Sequence, residues 1–293
     1  MTRRELRLRG ADGLTIAADA YGDPSHPPLL FLHGGGQSRS AWRGAARSLA
    51  SAGFHGLSLD LRGHGESDWA PDGNYAFDRH VADIESVIRD LRQPAILVGA
   101  SLGGHVSLIA AAQLPDLVRA LALADVTPWL DEDDADALRG AMRRSAEGFE
   151  TVAAAAAMVD ALRGTTSRGN PERLRPHMRE GEDGRLYWRW DPRFIRDEFV
   201  RHGGEGGLFA QSAAALRVPT LLMHAQHSNV VTPEQVRRFR EVVPALRYAQ
   251  IAGVGHMVTG DDNDAYLPAL QTFLRDLGLM PTPAGEESPS GSR

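Results

Sequence analysis

Apolar and polar positions alternate along this chain in two rhythms. Short continuous apolar runs recur at Leu29-Leu30-Phe31-Leu32, Gly56 to Leu61, Pro94 to Gly99, Leu121 to Val126, Pro219 to Met223 and Tyr248 to Ile251. Runs of this kind read as strands buried on both faces of a parallel sheet. Helical periodicity fills the intervals. Phe77 to Leu91 places Val81, Ile84, Val87, Ile88 and Leu91 on one face, and further helices are predicted over Ser40 to Ala52, His105 to Gln113 and Asp264 to Leu277. A helix over Pro233 to Val243 is introduced by Thr232 as N-cap, with proline at its first position. Near the start, Leu6 to Arg9 and Leu14 to Tyr21 alternate around Ala11-Asp12-Gly13, which reads as a hairpin. Strands and helices alternating on short connections predict an α/β fold with a mostly parallel, doubly wound sheet.

The rhythm breaks once. Thr127 to about Leu216 holds no clear buried strand, but carries an acidic stretch (Asp131 to Asp134), an alanine-rich helix and the aromatic string Tyr187-Trp188-Arg189-Trp190. A structureless loop of that length is implausible inside a domain. The expected organisation is a core of residues 1–126 and 217–280, an inserted helical cap of residues 127–216, and a disordered tail of residues 281–293 rich in Pro, Ser, Gly and Glu.

Composition narrows the function. The 293 residues carry a net charge of −6 and no cysteine. No basic face can dominate, which argues against nucleic acid as partner. Disulfides, thiol catalysis and cysteine-ligated metal are excluded. The start, Met1-Thr2-Arg3-Arg4-Glu5, is not a secretory signal, and no apolar run of about 18 residues suggests a membrane span. A cytoplasmic protein needing neither metal nor cofactor is expected.

The chemistry centres on Gly99-Ala100-Ser101-Leu102-Gly103. This Gly-x-Ser-x-Gly string follows an apolar strand and opens a helix, the context of a tight turn that presents a serine hydroxyl. Small residues two positions before and after the serine let strand and helix pack closely. The helix N-terminus favours negative charge developing beside the serine. A serine hydroxyl needs a base in contact. His256, in Gly253-Val254-Gly255-His256 after the last strand, is the candidate. His224 and His227 lack a third ligand at metal-binding spacing.

In order, His33-Gly34-Gly35-Gly36, Asp60-Leu61-Arg62-Gly63-His64-Gly65-Glu66-Ser67, Gly99 to Gly104 and Gly253 to His256 resemble the α/β-hydrolase superfamily over roughly Leu14 to Val126 and Val218 to Leu277. The resemblance implies a carboxylate that orients His256. Most members carry it after the strand matching Thr220 to Met223, where this chain has Ser228 and Asn229. Some members carry it after the preceding strand, which here is Asp125. The implied triad is Ser101, His256 and Asp125, in the superfamily's chain order.

An oxyanion hole is implied from the Leu102 N–H and an N–H of Gly35 or Gly36. Asp60, Arg62 and His64 resemble a structural motif. Candidate substrate contacts are His33, Trp42, Trp129, Trp188 and Trp190. For the cap aromatics, Tyr187 and Phe194 included, lining the pocket and packing the cap core are equally open readings. Siblings with an aspartate nucleophile are excluded by Ser101. The expected activity is acyl transfer on a small ester, lactone or thioester with an apolar or aromatic part. A carbon–carbon hydrolase, cofactor-free oxygenase or lyase on the same fold, or a non-catalytic ligand-binding relative, stands as the alternative.

Overall fold

The computed structural model describes residues 2–129, 132–163, 170–196, 207–256 and 263–280. Two antiparallel strands open the chain, β1 (Arg4–Arg9) and β2 (Thr15–Tyr21). Then follow β3 (Pro28–Leu32), α1 (Arg43–Ser51), β4 (His55–Leu59), α2 (Phe77–Leu91), β5 (Ala95–Ala100), α3 (Ser101–Gln113) and β6 (Val118–Ala124). The inserted segment contains α4 (Glu132–Ser145), α5 (Val152–Arg163), β7 (Met178–Glu180), β8 (Leu186–Trp188) and α6 (Leu208–Ala214). The chain then returns through β9 (Thr220–His227), α7 (Pro233–Val242), β10 (Arg247–Gly255) and α8 (Leu267–Asp276).

The main sheet runs in the order β1-β2-β4-β3-β5-β6-β9-β10. From β4 to β10 every pairing is parallel. Alternate residues of each strand feed two apolar layers, as a period of two requires. Leu30, Leu32, Leu97, Leu121 and Leu123 join the layer covered by α2, α3, α6 and α7. Leu29, Phe31, Ile96, Val98 and Ala122 join the layer covered by α1 and α8. The chain leaves β3 toward β4 on one side and resumes at β5 on the other. The carboxyl ends of β3 and β5 therefore flank the switch point of the sheet, where ligands of open α/β sheets bind.

Three expectations are corrected. Ser40 to Ala52 is a 3₁₀ turn over Arg39–Trp42 followed by α1, because the Trp42 indole is drawn into the core to donate to the Leu32 carbonyl (3.1 Å). The last predicted helix divides likewise, into a 3₁₀ turn over Asn263–Tyr266 and α8. The inserted segment is not wholly helical, since β7 and β8 form an antiparallel hairpin with Met178 opposite Trp188. Its apolar cluster includes Phe149, Leu174, Trp188, Trp190 and Phe194, packed with Leu14, Ala70 and Tyr75 of the core. The Gly65 N–H bonds to Arg189 O (2.7 Å), the Asp191 N–H to Gly63 O (2.8 Å), and the Tyr75 hydroxyl to the Asp191 carboxylate (2.6 Å). The tail of residues 281–293 lies outside the described residues, as do Asp131, Asp261 and Asp262.

Candidate active site

Ser101 sits where β5 meets α3, with φ of +46°. A left-handed conformation at a non-glycine residue stores about 1–3 kcal/mol and persists only where its surroundings impose it. Here they do. A Cβ on Gly103 would fall 2.5 Å from Leu32 O and 2.6 Å from His33 O, and one on Gly99 would collide with Gly103 O. The strand and helix thus approach more closely than any side chain permits. The Gly103 N–H donates to His33 O (3.1 Å), which ties the turn to the loop after β3. A Cβ on Gly34 would lie 3.3 Å from Ser101 Cβ, so the loop abuts the serine. Ser101 Oγ makes no hydrogen bond among the described residues.

Asp125 ends β6, also in a left-handed conformation (φ +51°), and is almost fully buried. Its Oδ2 accepts from His256 Nδ1 at 2.8 Å and from the Ser228 hydroxyl at 2.8 Å, and its Oδ1 accepts the Ala225 N–H at 3.0 Å. Three donors thus surround one carboxylate. Because a carboxylate only accepts, the His256 proton resides on Nδ1 and leaves Nε2 as the basic nitrogen. Ser228, at the position where the sequence resemblance leads to the expectation of an acid, accepts the Val230 N–H (3.2 Å) and Val231 N–H (2.9 Å) and turns its own proton to Asp125.

The loop after β3 divides its amides. The Gly34 N–H goes to Gln37 Oε1 (2.9 Å), and the Gly36 N–H to His64 Nε2 (3.2 Å). Gly35 N–H and Leu102 N–H have no acceptor among the described residues. Gly36 is therefore corrected as an oxyanion donor, because its proton is already held. His33 is corrected as a substrate contact. It is fully buried, its Nδ1 donates to Gly34 O (2.8 Å) and its Nε2 accepts the Leu61 N–H (3.0 Å). Burial pushes its pKa down to about 4.

Trp42 is likewise a core residue, packed on Phe31 and Tyr266. Trp129 lies under Arg238 and against Phe239, on the side of α7. Trp188 packs edge-on to Phe149, and Trp190 edge-on to Phe194, inside the inserted segment. None of these four is drawn to the serine by a contact of its own. Phe194 stands instead against the loop after β3: its ring edge would meet a Cβ on Gly35 at 3.7 Å, with the Met142 methyl at 3.9 Å. Phe194 is one of the cap aromatics whose role the sequence left open. Met142 carried no signal beyond being an apolar residue on a helix.

Asp60, Arg62 and His64 shape the loop after β4. Asp60 accepts the Arg39 and Glu66 N–H groups (2.6 and 2.9 Å) and pairs with the Arg39 guanidinium. Arg62 grips Asp83 with two bonds of 2.6 and 2.8 Å. His224 is held by the Tyr248 hydroxyl (3.0 Å) and Val231 O (3.1 Å). Among the described residues no group of three or more His, Cys, Asp or Glu is arranged to hold a metal ion, and no helix is long and apolar enough to cross a membrane.

Against known proteins, residues 27–262 match the family model for the alpha/beta hydrolase fold. An esterase of Mycobacterium tuberculosis is 30% identical over 265 residues, covering 85% of this chain and 83% of that protein. The 2-(acetamidomethylene)succinate hydrolase of Mesorhizobium japonicum is 28% identical over 262 residues, covering 85% of this chain and 88% of that protein. The crystal structure of an E-2-(acetamidomethylene)succinate hydrolase superimposes with a TM-score of 0.80 at 26% identity, over 94% of this chain and all of that one.

Proposed function

Because the chain belongs to the α/β-hydrolase family and is a hydrolase of that fold, we propose that it cleaves a small carboxylic ester, lactone or thioester through an acyl-enzyme on Ser101. The observation that carries the reading is the 2.8 Å bond between Asp125 and His256 Nδ1, formed at the same sheet edge as a strained serine turn. Asp125 fixes the tautomer, so His256 Nε2 takes the proton from Ser101 Oγ as that oxygen attacks the substrate carbonyl. Negative charge moves onto the carbonyl oxygen, where the N–H groups of Gly35 and Leu102 receive it at the start of α3. Collapse breaks the carbon–oxygen or carbon–sulfur bond, and the leaving group departs with the proton from His256. Water, deprotonated by His256, then attacks the acyl carbon. The carboxylic acid leaves and Ser101 regains its hydrogen. Catalytic hydrogen bonds commonly tighten only when substrate binds, so the missing Ser101 bond is compatible with this sequence.

Phe194 and Met142 give the loop an apolar cover at Gly35, and Leu102 packs against the same apolar cluster, which supports a substrate with an apolar or aromatic part. The segment between β6 and β9 acts as the cap that supplies it. A fluorophosphonate probe should label Ser101 on the folded protein and fail on Ser101→Ala. A panel of 4-nitrophenyl esters of graded chain length should show turnover that the same substitution removes. Labelling at another residue, or none on folded protein, overturns the proposal.

A further inference from the structure

We propose that His64 is a positioning residue that decides which glycine N–H of the loop after β3 serves the oxyanion. The inference rests on the acyl-transfer reading above. Four atoms carry it. His64 Nδ1 donates to Arg62 O (3.1 Å), which fixes the tautomer and leaves Nε2 as a bare acceptor aimed at the Gly36 N–H (3.2 Å). With Gly34 N–H on Gln37 and Gly36 N–H on His64, the remaining glycine amide of the loop is that of Gly35. The loop is closed on itself by Gln37 N–H to Gly34 O (3.1 Å), so holding Gly36 also sets the plane of the neighbouring peptide.

The acceptor must stay neutral, because imidazolium has no lone pair to offer. The fold secures this. His64 is fully buried, with ring centroids 5.0 Å from His33 and 4.5 Å from Phe194. Burial, reinforced by His33, pushes its pKa down to about 3. Phe194 touches both His64 and the Gly35 position. That phenylalanine sits on a turn whose N-cap, Asp191, is held by the Tyr75 hydroxyl (2.6 Å) and by Arg193 (2.7 Å). One imidazole therefore joins the inserted segment to the loop beside the serine.

The test compares wild type, His64→Leu and His64→Gln on 4-nitrophenyl butyrate, with inhibition by an aryl trifluoromethyl ketone, whose serine adduct carries the oxyanion. A misplacement of about 1 Å at a reacting centre can lower a rate by up to about 100-fold. His64→Leu should lower kcat by about 10- to 100-fold with KM within about threefold, and weaken the ketone in the same ratio. His64→Gln, whose Oε1 lies as many bonds from Cβ as Nε2 does, should recover most of both. Unchanged kcat, unchanged ketone affinity, or a glutamine variant no better than leucine overturns the proposal. If wild type turns over through Ser101 while His64→Leu matches it, this inference alone falls. If Ser101 of wild type does not label, the reading beneath it falls. Should the leucine variant not fold, long-range ¹H–¹⁵N correlation on ¹⁵N-histidine wild type decides. A neutral Nδ1–H tautomer that holds from pH 8 to about pH 5 supports the proposal, and an Nε2–H tautomer or titration in that range defeats it.

Discussion

Replacing Asp125 by asparagine changes one oxygen to an amino group at the most crowded point of the relay. Oδ1 can stay on the Ala225 N–H (3.0 Å). The new NH₂ then stands where Oδ2 accepted both His256 Nδ1 and the Ser228 hydroxyl, each at 2.8 Å. Donor faces donor twice. Ser228 Oγ already accepts two backbone N–H groups, so it is poorly placed to take a third. The remaining adjustment is for His256 to move its proton to Nε2 and accept at Nδ1. That puts hydrogen on the nitrogen that acts as base in the proposed mechanism. A wrong tautomer in a Ser-His-Asp relay lowers kcat on the order of 10⁴-fold, and a loss of about 10³- to 10⁴-fold is expected here, or about 4–5 kcal/mol in the barrier. KM should move little, since Asp125 is buried and its side-chain bonds go to Ala225, Ser228 and His256. Steady-state hydrolysis of 4-nitrophenyl butyrate and the second-order rate of fluorophosphonate labelling of Ser101 should fall together. A loss under about tenfold, in a variant that melts like wild type, would show that the orienting acid is another residue.

Stability should fall steeply in mild acid. Buried His33, His64 and His105 keep folded-state pKa values of about 4, 3 and 4 against an ordinary value of 6.5. Burial lowers His80 and His55 as well, so the unfolded chain binds at least about three more protons, and between about pH 6 and 4.5 unfolding free energy should drop with a slope of at least about 4 kcal/mol per pH unit. Urea titrations with the same midpoint at pH 6.5 and pH 5 would contradict this. Gly103→Ala drives a methyl into the Leu32 and His33 carbonyls. It should either prevent folding or lower the melting temperature by more than about 8 °C, the shift of a loss of several kcal/mol in a chain of this size. Phe194→Ala should cost about 3 kcal/mol of stability, because the ring is buried, and should raise kcat/KM for bulkier acyl esters relative to acetate. An unchanged chain-length preference would remove Phe194 from the pocket.

Local rules carried the core because its signals are local. The apolar run at β3, the helical stripe at α2, observed over Phe77–Leu91 as predicted, and the capping box at Thr232 each declare themselves within a few residues. The insertion hid its hairpin because β7 and β8 are three residues each, too short to show a period of two. His33 and Trp42 are candidate substrate contacts in the sequence. Their actual partners, Leu61 N–H for His33 and Leu32 O for Trp42, follow from strand adjacency rather than from spacing. Asp264, expected within a helix start, accepts the Ala45 N–H of α1 instead (2.8 Å), a bond between residues 219 positions apart. The contact between Asp125 and His256 was legible for the opposite reason: a missing carboxylate at Ser228 and Asn229 pointed to the neighbouring strand.

That neighbouring relation makes the acid movable. β6 and β9 pair in parallel, with Ala124 opposite Met223, and the Asp125 N–H continues the ladder to Met223 O (2.8 Å). The segments that leave the two strands therefore converge, and the Ser228 Oγ stands 2.8 Å from the oxygen that holds His256. A carboxylate rooted at position 228 starts beside the Val230 and Val231 N–H groups, which already supply two donors to that spot. Asp125→Ser/Ser228→Asp exchanges the two functions between the strands. Ser228→Asp alone should lose activity, because two carboxylates in contact force one to hold a proton. Asp125→Ser alone should lose about as much as Asp125→Asn. The exchange should recover at least about 100-fold over Asp125→Ser, and since Ser228→Asp alone also loses activity, the coupling in a double-mutant cycle on kcat should exceed about 3 kcal/mol. An exchange no faster than Asp125→Ser would mean that only β6 can present the carboxylate to the imidazole, and that Ser228 marks a lost position rather than an equivalent one.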